Sequence, residues 1–342
     1  MQRSLFALCV VWLALGCGDD DVVMGVPTGG SGGTGGTSGA GGTSGGGGSA
    51  GTGGDAELVS RGQYLVNNVI GCPDCHTPRN AMGAPIADQY LAGAECFVQL
   101  ENEACLHSRN LTNDETGLAN RTDDEIKKMI RDGIRPSSTG DVALSPVMPY
   151  YVFHNITDAD MNAIVAYLRT VPAVAHEVPR SAMVFEVPAP ANYLTDAAIP
   201  MPMDGYAEME RALRGRYLAT ESGACIECHT KHIQGDPNVI DYTKFFAGGE
   251  EYAIGLPTVP IAKNLTSDTE TGLGSWTPEE IVAALLEGKD KDGAGICPPM
   301  PVQPMAPYTG LDPEDALDIA HYIKSLPPIV NAIDDVCTFP PM

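Results

Sequence analysis

A chain of 342 residues, 43% hydrophobic and 19% charged, is long enough for two ordinary domains. Its 44 acidic residues outnumber 20 basic ones and leave a formal charge of −24. So acidic a surface argues against nucleic acid or anionic lipid as partners and favours a cationic docking face.

The N-terminus has a basic residue, Arg3, and then an apolar run from Leu5 to Leu15, the pattern of an export signal and too short to span a bilayer. The run ends in Ala14-Leu15-Gly16-Cys17, which resembles the lipobox of bacterial lipoproteins. That resemblance implies a signal peptide over residues 1–16 and lipidation of Cys17; an ordinary cleaved signal with an incidental cysteine is the alternative. Residues 17–54, nearly pure Gly, Ser and Thr from Gly25 onward, bury too little apolar surface to repay their ordering entropy and are expected to form a disordered tether. A coil of about 30 residues reaches roughly 30 Å. No later segment is apolar enough to cross a membrane.

Cys72-Pro73-Asp74-Cys75-His76 and Cys225-Ile226-Glu227-Cys228-His229 are two copies of C-x-x-C-H, the attachment signature of a c-type haem. Two thiols at i and i+3 on one helical turn meet the two vinyl groups of one porphyrin, and the following histidine lies beneath the iron. A zinc half-site also begins C-x-x-C, but two copies, each followed by a matching stretch, favour haem. The expected cofactors are two covalently bound haem c groups, attached through Cys72, Cys75, Cys225 and Cys228, with His76 and His229 as axial ligands.

The chain from about residue 55 is one domain written twice. Arg61-Gly62-Gln63-Tyr64-Leu65 recurs as Arg214-Gly215-Arg216-Tyr217-Leu218, Asn110-Leu111-Thr112 as Asn264-Leu265-Thr266, and Asp160 to Tyr167 as Asp315 to Tyr322, at offsets of 153 to 155. The repeats are placed at 55–171 and 205–342, joined by a proline-rich connector over 172–204. Each reads as mostly helical with long irregular loops. One helix starts at a capping box, Thr122-x-x-Glu125 or Thr277-x-x-Glu280, and stops near Gly133 or Gly288. The last helix starts at Thr157 or at Asp312-Pro313. Gly62 and Gly215 sit inside the first helix, where glycine costs about 1 kcal/mol relative to alanine. Their recurrence predicts that the last helix crosses there, with Tyr167 or Tyr322 against bare backbone.

What fills the far side of each iron decides between electron transfer and catalysis. Met148, between Pro146 and Pro149, precedes the last helix of the first repeat; Met305 holds the matching place in the second, with Met300 as the alternative. Of the remaining cysteines, Cys96–Cys105 and Cys297–Cys337 are the expected disulfides in an oxidising compartment; four buried free thiols are the alternative. Surface or hydrogen-bonding roles suit His107, His154, His176, His232 and His321, with His154 and His232 nearest the irons in sequence. Trp276, or Arg121 in the first repeat, is placed to reach a haem propionate, or simply to pack.

With these residues in place, the chain resembles tandem class I cytochrome c domains, most of all the haem subunits of bacterial membrane-bound alcohol and gluconate dehydrogenases and related di-haem cytochromes. The resemblance rests on Cys225 to Thr230, Asn264 to Thr277 and Tyr322-Ile323-Lys324-Ser325-Leu326-Pro327-Pro328, and covers residues 55 to 330. In the first repeat Ala119 and Arg121 replace the pattern's glycine and tryptophan. The resemblance implies an all-α fold of two cytochrome c domains. It further implies electron transfer from an exported or periplasmic donor, such as a dehydrogenase, to a respiratory acceptor, a terminal oxidase or another cytochrome. The expected place is the periplasmic side of a bacterial membrane or the cell surface, with membrane contact only through the lipid anchor. Those subunits usually carry three haems and this chain two. A di-haem enzyme with one open iron, of the cytochrome c peroxidase kind or oxidising a small sulfur compound, is the competing reading.

Overall fold

Apolar residues at helical spacing and capped ends produce nine α-helices among the described residues of the computed structural model, which are 52–80, 83–99, 105–181, 183–188, 193–233, 239–251, 260–297, 300 and 307–334. The signal segment, Cys17, Met305 and Cys337 lie outside them.

In the first repeat α1 (Thr52–Tyr64) continues into a π-helical turn, Leu65–Val69, and then α2 (Cys72–His76). After these come α3 (Asp123–Asp132), α4 (Tyr150–Phe153) and α5 (Asp158–Leu168). The second repeat has α6 (Met209–Tyr217), a π-helical turn Leu218–Ser222, α7 (Cys225–His229), α8 (Pro278–Glu287) and α9 (Pro313–Ser325). Strands are minor: β1 (Val98–Gln99) pairs antiparallel with β2 (Cys105–Leu106), and β3 (Ile134–Arg135) with β4 (Val142–Ala143). α1 begins inside the stretch 17–54 expected to be tether. Asp55, in its first turn, complements the N-terminal dipole.

Both capping boxes form. The Thr122 and Thr277 hydroxyls accept from the N–H of Glu125 and Glu280, whose carboxylates return the bond, and Gly133 and Gly288 end their helices at φ 63° and 64°.

The first and last helices of each repeat cross at the glycines, α1 over α5 and α6 over α9. A Cβ on Gly62 would be driven into the Ala163 carbonyl and come within 2.8 Å of the Tyr167 Cβ. On Gly215 it would meet the Asp318 carbonyl and the Ile319 nitrogen. At the second crossing the nearest atoms belong to the backbone of Asp318 and Ile319, and the Tyr322 side chain is fully buried.

The connector 172–204 is bonded down along its described length. Val174 O accepts from Asn110 Nδ2 at 2.9 Å, and Val178 O from Arg109 Nη1 at 2.7 Å. Further on, Leu194 N donates to Tyr151 O at 3.0 Å, and Pro200 O accepts from the Tyr322 hydroxyl at 2.9 Å. It is a strap first on one repeat and then on the other.

The repeats share one apolar core that runs from Leu65 to Leu326, and they meet through a reciprocal pair of tyrosines. The Tyr64 hydroxyl donates to Asp315 Oδ2 at 2.7 Å and accepts from Asp312 N at 3.1 Å. The Tyr217 hydroxyl donates to Asp160 Oδ2 at 2.8 Å and accepts from Thr157 N at 3.3 Å. The positions correspond through the repeat, so the contact is isologous, as in a two-fold dimer. Burial pushes Asp160 up, but hydrogen bonds from Arg61 and Tyr217 outweigh it and hold the carboxyl below its ordinary range.

Gly62→Ala and Gly215→Ala are each expected to destabilise the protein by about 1–3 kcal/mol, because overpacking a helix crossing outweighs the gain in helix propensity. Thermal unfolding measures this, and unchanged midpoints would remove the crossing as the reason for the glycines. The stability contributed by Asp160 is fully present above its unfolded pKa of about 4 and is lost as pH falls through its lower folded value. Asp160→Asn should therefore flatten the acid limb of a stability-against-pH curve.

Candidate haem sites

α2 and α7 are single helical turns entered through a left-handed residue, Gly71 at φ 73° and Ala224 at φ 52°. Glycine takes that conformation freely; Ala224 takes it at a cost, and the second repeat pays to keep the same entry angle. One turn brings Cys72 beside Cys75 and Cys225 beside Cys228, since side chains three apart share a helix face. All four are half-buried and lie outside any disulfide. Burial pushes Cys72 and Cys75 up to about 12 and Cys225 up to about 11, so they are held as thiols rather than as reactive thiolates.

The histidine that ends each turn is held from both sides by backbone. His76 Nδ1 lies 2.8 Å from Arg109 O, and His229 Nδ1 2.8 Å from Lys263 O. A carbonyl only accepts, so Nδ1 carries the proton and Nε2 keeps its lone pair for a metal. Burial lowers both histidines and keeps them neutral. Each histidine's own carbonyl accepts an N–H, from Gly93 at 2.7 Å and from Gly248 at 2.8 Å. A Cβ on Gly93 would come within 2.7 Å of Arg109 C, and one on Gly248 within 2.5 Å of Lys263 C. These glycines let the two histidine-holding strands of chain approach each other. Leu91 and Phe246, both at φ 57°, set up the turn before them.

The Asn-Leu-Thr motif fixes the carbonyl that holds the imidazole. Asn110 Oδ1 accepts from Thr112 N at 2.9 Å and Thr112 Oγ1 at 2.8 Å, while its Nδ2 donates to Thr116 Oγ1 at 2.9 Å and to Val174 O at 2.9 Å. Asn264 repeats the arrangement with Thr266, Thr271 and Ile329 O. The motif thus staples the chain that follows the last helix to the loop beside the histidine.

Met148 sits in a pinned turn: its N–H donates to Ser145 O at 3.0 Å and its carbonyl accepts from Tyr150 N at 2.7 Å, while its side chain is half-buried against the core. Met300 is half-buried against the same core. Cys96 and Cys105 form a disulfide across the β1–β2 hairpin. Cys297 is also disulfide-bonded; Cys337, its expected partner, lies outside the described residues.

The spare histidines have other work. His154 is exposed, stacks on Tyr193 with ring centroids 4.3 Å apart and donates to Arg131 O. His107 accepts from Cys96 N, His176 bonds Ala92 O and His321 bonds the Tyr206 hydroxyl. His232 joins a cluster that sequence reasoning missed. Its Nε2 lies 3.1 Å from the hydroxyl of buried Tyr151, which also bonds Glu227 between the two cysteines of α7, and its other nitrogen faces Glu250. Arg121 donates to Pro136 O at 2.8 Å, and Trp276 packs against the core. The left-handed loops were also missed, though their signal was present: Leu91-Ala92-Gly93 recurs as Phe246-Ala247-Gly248.

The cytochrome c family profile matches residues 59–172 and again 212–327. The chain belongs to the cytochrome c family. It is similar to the cytochrome c subunit of alcohol dehydrogenase (quinone) from Gluconobacter oxydans, at 30% identity over 284 residues, 80% of this chain and 56% of that protein. It also resembles the fructose dehydrogenase cytochrome subunit of Gluconobacter japonicus, at 29% over 290 residues, 82% of this chain and 55% of that one. The gluconate 2-dehydrogenase cytochrome c subunit of Pantoea cypripedii is 28% identical over 284 residues, 79% and 59% of the two chains. This chain spans somewhat over half the length of these relatives.

Two cytochrome c domains carry two covalently bound haem c groups, and the chain is an electron-transfer cytochrome. The residues present fit that cofactor twice over: a pair of cysteines on one helical face, followed by a neutral imidazole with Nε2 open. When bound, haem c supplies a one-electron ferric/ferrous couple. The chain positions and shields it.

Gly248→Ala should push the Lys263 carbonyl off His229 Nδ1 and perturb one haem of two. The expected readout is a shift in about half of the Soret and visible absorbance of the purified holoprotein; a spectrum identical to wild type would show that the glycine does not support the histidine.

Proposed function

We propose that this chain relays electrons from an exported dehydrogenase to a respiratory acceptor, with both irons six-coordinate. Cys72 and Cys75 attach one haem, with His76 and Met148 as its axial ligands. Cys225 and Cys228 attach the other, with His229 and Met305 as its ligands, Met300 being the alternative to Met305.

The observation that carries this reading is the contact between the two π-helical turns that lead into the C-x-x-C-H turns. The π-helical turns Leu65–Val69 and Leu218–Ser222 run directly into them and touch each other across the repeat interface. Gly71 lies against Pro307, Asn68 Nδ2 donates to Pro307 O at 3.3 Å, and Val69 lines one small apolar cavity with Cys225 and Tyr308. A packed interface between the segments that lead into the two sites suits transfer from one site to the other within the chain. The pinned turn around Met148 also suits a rigid thioether ligand, which favours ferrous iron and raises the potential. A dehydrogenase as donor is suggested by the relatives, which are cytochrome subunits of such enzymes.

Export belongs to the same reading. The apolar run before Cys17 and the glycine-rich stretch after it support a lipid anchor and a tether, with the cytochrome domains on the periplasmic side or the cell surface. Among the described residues no helix is long and apolar enough to cross a membrane.

Electron paramagnetic resonance of the oxidised holoprotein should count two low-spin irons, and a five-coordinate iron that turns over peroxide would overturn the relay. Met148→Ala should lower one midpoint potential, abolish half of the weak red iron–sulfur absorbance and let carbon monoxide bind one iron. An unchanged spectrum would exclude Met148 as a ligand.

A further inference from the structure

The first repeat gathers four arginines around the chain that holds His76, and the second repeat does not. Arg109, whose carbonyl orients the imidazole, donates through Nη1 to Val178 O at 2.7 Å and Pro179 O at 2.9 Å, beside Arg180. Arg121 donates to Pro136 O at 2.8 Å, beside Arg135. Arg135 lies on β3, in the hairpin that leads from α3 to the Met148 turn and is closed by Leu144 N donating to Gly133 O. The cluster therefore bridges the chain that holds His76 and the chain that leads to Met148. Half-burial lowers Arg135, and the charges of Arg180, Arg121 and Arg109 lower it further, which is mutual crowding of cations.

Opposing charge is sparse. Glu125 lies 3.5 Å from Arg121, and Glu177 faces Arg109. The side chains of Arg135 and Arg180 make no hydrogen bond or ion pair among the described residues. In a chain of formal charge −24, this is a local surplus of positive charge. The second repeat has Lys263 in the place of Arg109 and Trp276 in the place of Arg121. Two residues after the capping glycine, where the first repeat has Arg135, it has Asp290.

Ferric iron carries one more positive charge than ferrous iron, so a nearby surplus of cations favours the reduced state. We propose that Arg109, Arg121, Arg135 and Arg180 make the first repeat the higher-potential site, so that electrons pass from the second repeat to the first. The step is a one-electron transfer that oxidises the second site and reduces the first, with no bond made or broken. On that order the donor engages the second repeat and the acceptor the first. This rests on the two-haem relay above and adds its direction.

The test is a spectroscopic redox titration of the full-length holoprotein, on samples whose mass shows two haems per chain. Arg135→Gln with Arg180→Gln should lower the upper of the two midpoints and leave the lower one in place. A lost unit charge, acting at an effective dielectric of about 20, is worth on the order of a tenfold change in the ferric-to-ferrous ratio at a fixed potential. Arg135→Lys with Arg180→Lys should keep the wild-type value, which a purely steric role would not predict. Movement of the lower midpoint would reverse the order, and movement of neither would remove the cluster as its cause. A wild-type mass without two haems would sink the relay itself rather than its direction alone.

Discussion

A backbone carbonyl bonded to an imidazole Nδ1 is the contact that the rest of each repeat serves. Arg109 O and Lys263 O fix which histidine nitrogen keeps its lone pair and which way the ring turns. The carbonyl is there because Gly93 or Gly248 lets two stretches of backbone approach within a distance that no Cβ permits. It stays there because Asn110 or Asn264 ties its neighbours to the chain that leaves the last helix. The last helix is in turn seated by the bare backbone of Gly62 or Gly215. A side-chain partner would do the same work with rotamer freedom; a carbonyl fixed by two loops has almost none.

The interface repeats this economy at a larger scale. Tyr64 and Tyr217 occupy equivalent positions and make equivalent bonds, each to the aspartate and the helix-start N–H of the other repeat. The surroundings of those bonds then diverge. Arg61 grips Asp160, whereas Arg214 and Arg211 grip Asp318 and leave Asp315 to Tyr64. The same divergence marks the haem surroundings. Arg79 pairs with Asp74 in the first attachment turn, while the second sets His232 and Tyr151 against Glu227. Two sites with one wiring plan thus sit among differently charged neighbours.

Much of this was legible in the sequence because it is local or repeated. The attachment turns need only spacing i, i+3; the capping boxes need only four consecutive positions; Gly62 and Gly215 announce a crossing because an unfavourable residue recurs at the same phase. The Asn-Leu-Thr recurrence was visible, but its purpose was not, since Asn110 meets Val174 only after the last helix has turned the chain back. Nor could spacing foresee the contact of Tyr64 with Asp315 or of Tyr151 with His232, which join residues far apart in different repeats. The π-helical turns escaped for a similar reason: nothing in Leu65–Val69 or Leu218–Ser222 asks for a wider turn, which comes from fitting two helices and an attachment turn around one interface.

By itself the sequence determined the number of domains, the haem-attachment motif in each and the caps and breaks of the main helices, because these depend on covalent order and on bonds within a few residues. The tertiary structure alone decided that the connector is a strap, that the π-helical turns leading into the two C-x-x-C-H turns touch and that four arginines from separated stretches crowd one repeat. Those outcomes depend on which surfaces the helices bury against each other, and that is set by packing over the whole core rather than by any local run of residues.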